Sequence, residues 1–234
     1  MIKALFEFKN FEKNFRFFLP FSLFCFLTFS AFAVPAIFFS PPDYQQGNAV
    51  KIMYVHVPAA WMALLIYTLM AIFNISGFIW KNPFFYLIAK SIAVIGASFT
   101  LVTLVTGSIW GKPIWGTWWV FDARLTSVLI LFFLYLGYII LLDSFDDKAK
   151  GEKIAAIISI VGFINVPIIK FSVEYWNSLH QPASILRSGG VAIDAAMLKP
   201  LLLTFGTYFS YFVFLSLLRV KNEIMIKNIE RKFK

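Results

Sequence analysis

The sequence predicts an all-α, polytopic membrane protein with six transmembrane helices and with both termini in the cytoplasm. Of its 234 residues, 60% are hydrophobic and only 14% are charged, whereas a soluble domain carries about 25% charged residues. Long apolar runs recur along the chain, and about 20 helical residues cross the hydrocarbon core of a bilayer. Lys and Arg residues concentrate on one side of these runs, which predicts the orientation.

Six apolar runs are expected to form a single membrane domain over residues 1–234. The first run, at about 17–39, is longer than the core of about 7–15 residues in a signal peptide, so we predict a retained helix. The other five runs lie at about 53–79, 84–107, 125–142, 154–171 and 201–218.

The orientation follows from the basic residues, because short cytoplasmic loops keep the positive excess. One side of the runs collects Lys3, Lys9, Lys13, Arg16, Lys81, Lys148, Lys150, Lys153, Arg219, Lys221, Lys227, Arg231, Lys232 and Lys234. The other side collects Lys51, Lys112, Arg124, Lys170, Arg187 and Lys199. The more basic side, with both termini, is predicted to be cytoplasmic, and loops 41–52, 108–124 and 172–200 are predicted to lie outside.

Two basic features near the predicted inner surface have simple interpretations. Lys90 lies inside the third run, close to its cytoplasmic end, where a long side chain can snorkel to the headgroups. The tail from 219 to 234 alternates basic residues with Ile224, Ile226 and Ile229, which predicts a helix lying on the anionic inner surface.

Composition also excludes several classes of function. The net charge is +9, and the basic residues lie mostly between and beyond the apolar runs, where lipid headgroups favour them, so nucleic acid binding is not expected. The single cysteine, Cys25, rules out a disulfide framework or a thiolate metal cluster. No phosphate-binding loop of the Walker type is present, so a partner must supply any ATP hydrolysis.

The predicted outer loop 108–124 is rich in tryptophan. Four of the seven tryptophans in the chain lie within ten residues: Trp110, Trp115, Trp118 and Trp119. An interfacial aromatic belt is the simplest explanation of tryptophan near a membrane. A belt needs only one or two rings per helix end, so it does not easily explain this cluster.

A short helix from Pro113 onward would place three indoles at positions i, i+3 and i+4, on one stripe. Such a stripe forms a flat, apolar shelf, which suits a planar aromatic ligand. Gly111 and Gly116 remove side chains beside the shelf, so that a flat ligand or another backbone can approach closely.

Two charged residues follow at the predicted membrane boundary. Asp122 and Arg124 form a local ion pair in one interpretation, which fixes the loop against the fourth helix. In the other, Arg124 or Lys112 binds a carboxylate of the ligand, because guanidinium pairs with carboxylates in a bidentate manner. The two interpretations are compatible.

The only two histidines, His56 and His180, are both predicted at the outer face, on either side of the tryptophan loop. A lone histidine near a membrane surface is usually an amphipathic residue at headgroup depth. Two histidines on one face predict axial ligation of haem iron. The haem macrocycle suits an aromatic surface, and the haem propionates suit Arg or Lys. Zinc would need further ligands. Glu174 and Asp194 are candidates, but their positions in the sequence do not match the spacing of known zinc ligands.

Two other classes of membrane protein remain as alternatives. A redox enzyme of the cytochrome b type needs haem ligands paired within the bilayer, usually for two haems, whereas two histidines at one surface allow one haem. A secondary transporter is expected to have broken helices and ionisable residues near the membrane centre. The predicted spans contain few such residues.

The segments 110–119 and 124–127 resemble the tryptophan-rich (WWD) signature of haem-handling membrane proteins in cytochrome c biogenesis. The segments 51–62 and 175–182 are similar to the histidine segments of one branch, the cytochrome c maturation protein C (CcmC) or haem exporter protein C family. This resemblance covers the whole chain and implies that His56 and His180 are the axial ligands. It also implies that the tryptophan loop, including Asp122 and Arg124, contacts haem. Phe121 departs from the family, which often has Trp there; Phe keeps a flat ring but loses the indole N–H.

The resemblance further implies a function without enzymatic activity of its own. The chain would hold haem b in transit at the periplasmic face of the bacterial inner membrane and load a periplasmic haem chaperone, cytochrome c maturation protein E. It would act in a haem export complex with an ATP-hydrolysing (ABC) transporter made of maturation proteins A and B and with the small single-span protein D.

Overall fold

A computed structural model describes residues 8–176, 178–180, 185, 190 and 192–232 of the chain, without the side chains of 8–14 and 230–232. Asn177, Gln181 and Pro182 of the predicted histidine segment lie outside the described residues, as do Lys3, Arg187 and Lys234.

The described chain is helical apart from its connections. The helices are α1 (Phe8–Phe38), α2 (Met53–Trp80), α3 (Pro83–Trp115), α4 (Ala123–Asp143), α5 (Lys148–Gly162), α6 (Asn165–Tyr175) and α7 (Ala195–Lys232). A short 3-10 helix (Asn48–Ile52) leads directly into α2.

Six segments of the described chain are long and apolar enough to cross a membrane, as the sequence predicts. Four of them are single helices. Of the other two, one joins the 3-10 helix to α2 over Asn48–Trp80, and one joins α5 to α6 over Lys148–Tyr175. Pro167 lies in the first turn of α6, and its missing N–H explains the break, because it cannot bond the carbonyl four residues before it. Large apolar side chains such as Phe17 and Phe24 remain exposed, as expected of surfaces that face lipid.

The antiparallel pair of α2 and α3 is the centre of the bundle. Only Lys81 and Asn82 connect the two helices; Lys81 adopts a left-handed conformation with φ 48°, and Asn82 caps α3. Helices α4 to α7 pack around this pair, and α1 packs against α7. The buried hydroxyl of Tyr135 on α4 donates a hydrogen bond to the carbonyl of Ala63 on α2, at 2.8 Å. The tight connection places the start of α2 beside the end of α3.

One prediction at the opposite end of the bundle is wrong, and Lys90 gains a partner there. Nζ of Lys90 forms an ion pair with Glu223 of α7 at 3.0 Å. The tail is not a separate surface helix: it continues α7, and Val220 and Ile224 are buried in a cluster with Phe84 and Leu87 of α3.

The guanidinium of Arg219 also ties the tail to α3, since Nε donates to the carbonyl of Ser91 at 2.8 Å. Of the tail residues that predicted a surface helix, Ile226 and Ile229 are exposed. Ile224 instead packs inward, so one of these three isoleucines belongs to a helix–helix contact.

Candidate haem-binding site

The two histidines and the tryptophan-rich segment meet at one end of the bundle. His56 lies in the first turn of α2, and the tryptophan segment begins at the end of α3. His180 lies in the connection after α6 and reaches the same place. Trp110 contacts the ring of His56, with ring centroids 5.6 Å apart, and Trp115 contacts the ring of His180 at 5.0 Å.

The tryptophan segment is not the short helix that its spacing predicts. Helix α3 continues eight residues into the predicted loop and ends at Trp115, where Gly116 adopts φ 77° and donates its N–H to the carbonyl of Lys112. A glycine in this left-handed conformation commonly ends a helix. Trp118 and Trp119 therefore follow the helix, and the predicted i, i+3, i+4 stripe does not form.

Hydroxyl groups hold the non-helical part of the segment. Ser108 donates to the carbonyl of Trp118 at 2.6 Å, and Thr117 donates to the carbonyl of Trp119 at 3.1 Å. The indole N–H of Trp110 donates to the side-chain oxygen of Gln46 at 3.0 Å. The indoles of the segment are thus fixed by several elements rather than by one helical face.

The ring of His56 is held by α3. Its Nδ1 lies 3.1 Å from the hydroxyl oxygen of Thr106. That hydroxyl donates its own proton to the carbonyl of Val102 at 2.6 Å, so it can only accept from His56. His56 therefore carries its proton on Nδ1, and Nε2 is left with its lone pair.

Gly107 makes room for this imidazole. A Cβ atom added at Gly107 would lie 2.9 Å from Cε1 of His56, closer than real Cβ contacts allow. The sequence alone does not indicate Thr106 or Gly107, because they lie 50 and 51 residues along the chain from His56 and meet it only through the pairing of α2 with α3.

The ring of His180 is held by a carboxylate. Its Nδ1 lies 3.1 Å from Oδ2 of Asp122. The hydroxyl of Ser178 donates to the same oxygen at 2.7 Å and accepts from the backbone N–H of His180 at 3.2 Å. A carboxylate ion accepts only, so this ring also carries its proton on Nδ1, and Nε2 is left with its lone pair.

Asp122 joins this histidine to the start of α4. Its side chain is 5% exposed, and Oδ1 accepts from the backbone N–H of Leu125 at 2.7 Å as the N-cap of α4. Burial alone would raise the pKa of Asp122, but the bonds from Leu125, Ser178 and His180 hold it below its ordinary value. Burial lowers the pKa of His180 despite the nearby carboxylate, which favours the neutral imidazole that binds iron.

The predicted ion pair between Asp122 and Arg124 is not among the ion pairs of the described residues. Asp122 makes its short contact with His180, and Arg124 donates from Nε to the hydroxyl of Ser172 at 3.2 Å. The terminal amino groups of Arg124 have no hydrogen bond within the described part of the chain. By contrast, Nζ of Lys112 donates to the carbonyl of Gly116 at 3.0 Å and lies over the ring of Trp118.

The two glycines of the predicted shelf have different surroundings. A Cβ added to Gly111 would lie 3.0 Å from the ring of Trp115, so an indole rather than a ligand occupies that space. Around Gly116, a Cβ would meet nothing within 4 Å. Phe121 is 82% exposed and contacts Trp119.

The arrangement suits the haem that the sequence predicts. Each imidazole is bound by the chain at Nδ1, and Nε2 of neither ring has a hydrogen bond from the described residues. The rings of His56 and His180 contact Trp110 and Trp115, which both lie in the last two turns of α3, so the two rings lie at the same end of the bundle. No group of three or more metal-binding side chains occurs among the described residues, and the zinc candidate Asp194 instead accepts from the N–H of Ala196 at the start of α7.

Comparisons with known proteins point to one family. The family model described as "Heme exporter protein C" matches residues 2–234. The chain is 48% identical over 190 residues to Heme exporter protein C of Bradyrhizobium diazoefficiens, covering 81% of this chain and 72% of that one. It is 45% identical over 193 residues to the Escherichia coli protein of the same name, covering 82% and 78%.

A plant relative has a similar level of identity. The putative cytochrome c biosynthesis ccmC-like mitochondrial protein of Marchantia polymorpha is 49% identical over 197 residues, with 84% of this chain and 83% of the relative covered.

Substituting Gly107 by Ala is expected to lower the amount of haem that the purified protein retains, because the added methyl group displaces the His56 ring. Changes to the groups that hold a metal-binding histidine typically lower metal affinity by about tenfold or more. The measurement is the ratio of haem absorbance to protein. Gly137→Ala is the matched control, since a Cβ there meets nothing within 4 Å. Equal haem content in the two variants would contradict the packing of His56 against Gly107.

Proposed function

Because the chain belongs to the heme exporter protein C family, and so serves haem export in cytochrome c biogenesis as a multi-pass membrane protein, we propose a specific role within that process. It presents haem b at the periplasmic face of the bacterial inner membrane and transfers it to a periplasmic haem chaperone, cytochrome c maturation protein E. It has no enzymatic activity of its own.

The observation that carries this proposal is the meeting of the only two histidines in one aromatic site. His56 and His180 are 124 positions apart in the sequence, yet each has an indole against its ring and a hydrogen bond at Nδ1. Two neutral imidazoles whose Nε2 atoms have no hydrogen bond within the described part of the chain would supply both axial ligands of a haem iron. Trp110 and Trp115 supply aromatic surface beside those ligands.

The boundary residues complete the proposed site. Arg124, whose terminal amino groups are unbonded within the described residues, is the better candidate to bind a haem propionate, because Lys112 is already engaged with Gly116. Guanidinium binds a carboxylate through two parallel hydrogen bonds. Trp118 and Phe121 are exposed, and we assign them to contact with the chaperone or the outer edge of the haem.

Partners supply what this chain lacks. The sequence has no phosphate-binding loop of the Walker type, so ATP hydrolysis belongs to the proposed transporter subunits, maturation proteins A and B. The small single-span protein D completes the proposed complex. Haem is cargo in this role, and its residence at the site is transient.

Loss of either histidine is expected to weaken the Soret band of the protein purified from haem-replete cells. His180→Gly leaves space for free imidazole, which should restore a six-coordinate, low-spin spectrum; His56→Gly should respond in the same way. Trp80→Ala is the control, because Trp80 lies at the opposite end of α2. Unchanged spectra in both histidine variants would contradict the proposal.

The proposed orientation predicts where added cysteines can be labelled. In a Cys25→Ser background, Gln45→Cys in the connection before α2 should react with a membrane-impermeant thiol reagent in spheroplasts. Ser144→Cys, between α4 and α5, should react only after the membrane is opened. Both side chains are exposed in the protein, so access depends on the side of the membrane. The reverse pattern would place the haem site in the cytoplasm.

A further inference from the structure

The two histidines are held by acceptors of different strength. We propose that Asp122 is a positioning residue that makes His180 the stronger, retained haem ligand, and that His56, bound by Thr106, dissociates first when haem leaves. This inference rests on the proposed function, and it adds an order of ligand release to it.

On the His180 side, the acceptor is a buried carboxylate. Asp122 Oδ2 lies 3.1 Å from Nδ1 of His180, and Ser178 bonds both residues. The other oxygen of this carboxylate, Oδ1, caps α4 by accepting from the N–H of Leu125, and this bond fixes the orientation of the carboxylate. When Nε2 of an imidazole binds a metal, a carboxylate that accepts from Nδ1 raises the basicity of Nε2 and fixes the orientation of the ring.

On the His56 side, the acceptors are neutral: the hydroxyl of Thr106 and the backbone carbonyl of Thr103. Thr106 lies 3.1 Å from Nδ1 of His56, and its only proton is donated to the carbonyl of Val102. Hydrogen bonds to an ionised partner are roughly twice as strong as those between neutral groups. The hydroxyl therefore orients the His56 ring but adds less electron density to Nε2 than Asp122 adds to His180.

This order differs from what the backbone alone suggests. His56 stands on the first turn of a long helix, whereas His180 stands in a non-helical connection. A more rigid backbone would make His56 the tighter ligand. The hydrogen-bond network of Asp122, Ser178 and His180 offsets that difference, because it ties the connection to the start of α4.

Two variants and one control distinguish the effect of Asp122 on His180 from the effect of Thr106 on His56. Asp122→Asn removes the charge but keeps a good helix cap, since Asn and Asp cap equally well. Thr106→Val has nearly the same shape as the native residue but removes the hydroxyl that accepts from His56. Asp147→Asn is the matched control, because Asp147 caps α5 through the N–H groups of Ala149 and Lys150 and touches neither histidine.

The first readout is the rate at which haem passes from the purified, loaded protein to an excess of apomyoglobin. Substitutions behind a metal-binding histidine typically weaken binding about 10- to 100-fold. We expect Asp122→Asn to accelerate haem loss by about that factor. Thr106→Val should have a much smaller effect, and Asp147→Asn should match the unmodified protein.

The second readout identifies the retained ligand directly. In the dithionite-reduced protein, CO should displace His56, and photolysis of CO then leaves a five-coordinate iron with one imidazole. The iron–histidine stretching band in its resonance Raman spectrum should move to lower frequency in Asp122→Asn and stay unchanged in Thr106→Val. A merely structural role for Asp122 would not move this band.

The proposed order would be overturned if the iron–histidine band shifted in Thr106→Val but not in Asp122→Asn. It would also be overturned if the band shifted in neither variant. Equal rates of haem loss in the two variants would also overturn it. These results differ from failure of the proposed function itself, in which the unmodified protein would show no haem with two histidine ligands.

Discussion

The short connection between α2 and α3 is the constraint on which the site depends. Two residues, Lys81 and Asn82, reverse the chain, so the two helices must pack antiparallel along their whole length. The first turn of α2 then lies beside the last turns of α3. His56 thereby meets Thr106, Gly107 and Trp110, and its ring fits only because Gly107 has no side chain.

The second half of the site is attached to this pair through the start of α4. Asp122 caps α4 and binds His180, so a single carboxylate fixes both a helix start and an imidazole. Trp115, the last residue of α3, contacts the ring of His180. The result is a site in which one histidine depends on helix packing and the other on a charged hydrogen bond, a difference that suits a ligand that must be both held and released.

Composition and periodicity predict the spans well, because a bilayer forces every backbone group to bond within its own helix. Alternation of the spans also predicts that His56, His180 and the tryptophans share one end. The predictions that failed concern either the local end of a helix or tertiary contacts between distant segments. Gly116 ends α3 before Trp118, and Ile224 of the tail packs against α3, which the alternation of residues alone does not reveal. Ser178 is two residues from His180, but its link to Asp122 depends on how the connection after α6 folds back onto α4.

A structure of the protein with haem bound tests the central claim most directly. It should show one haem at the end of the bundle with Trp110 and Trp115, with its iron bound to Nε2 of both His56 and His180. Nδ1 of each ring should still contact Thr106 and Asp122, respectively. Iron bound by any other side chain, or a haem located away from both imidazoles, would contradict the claim.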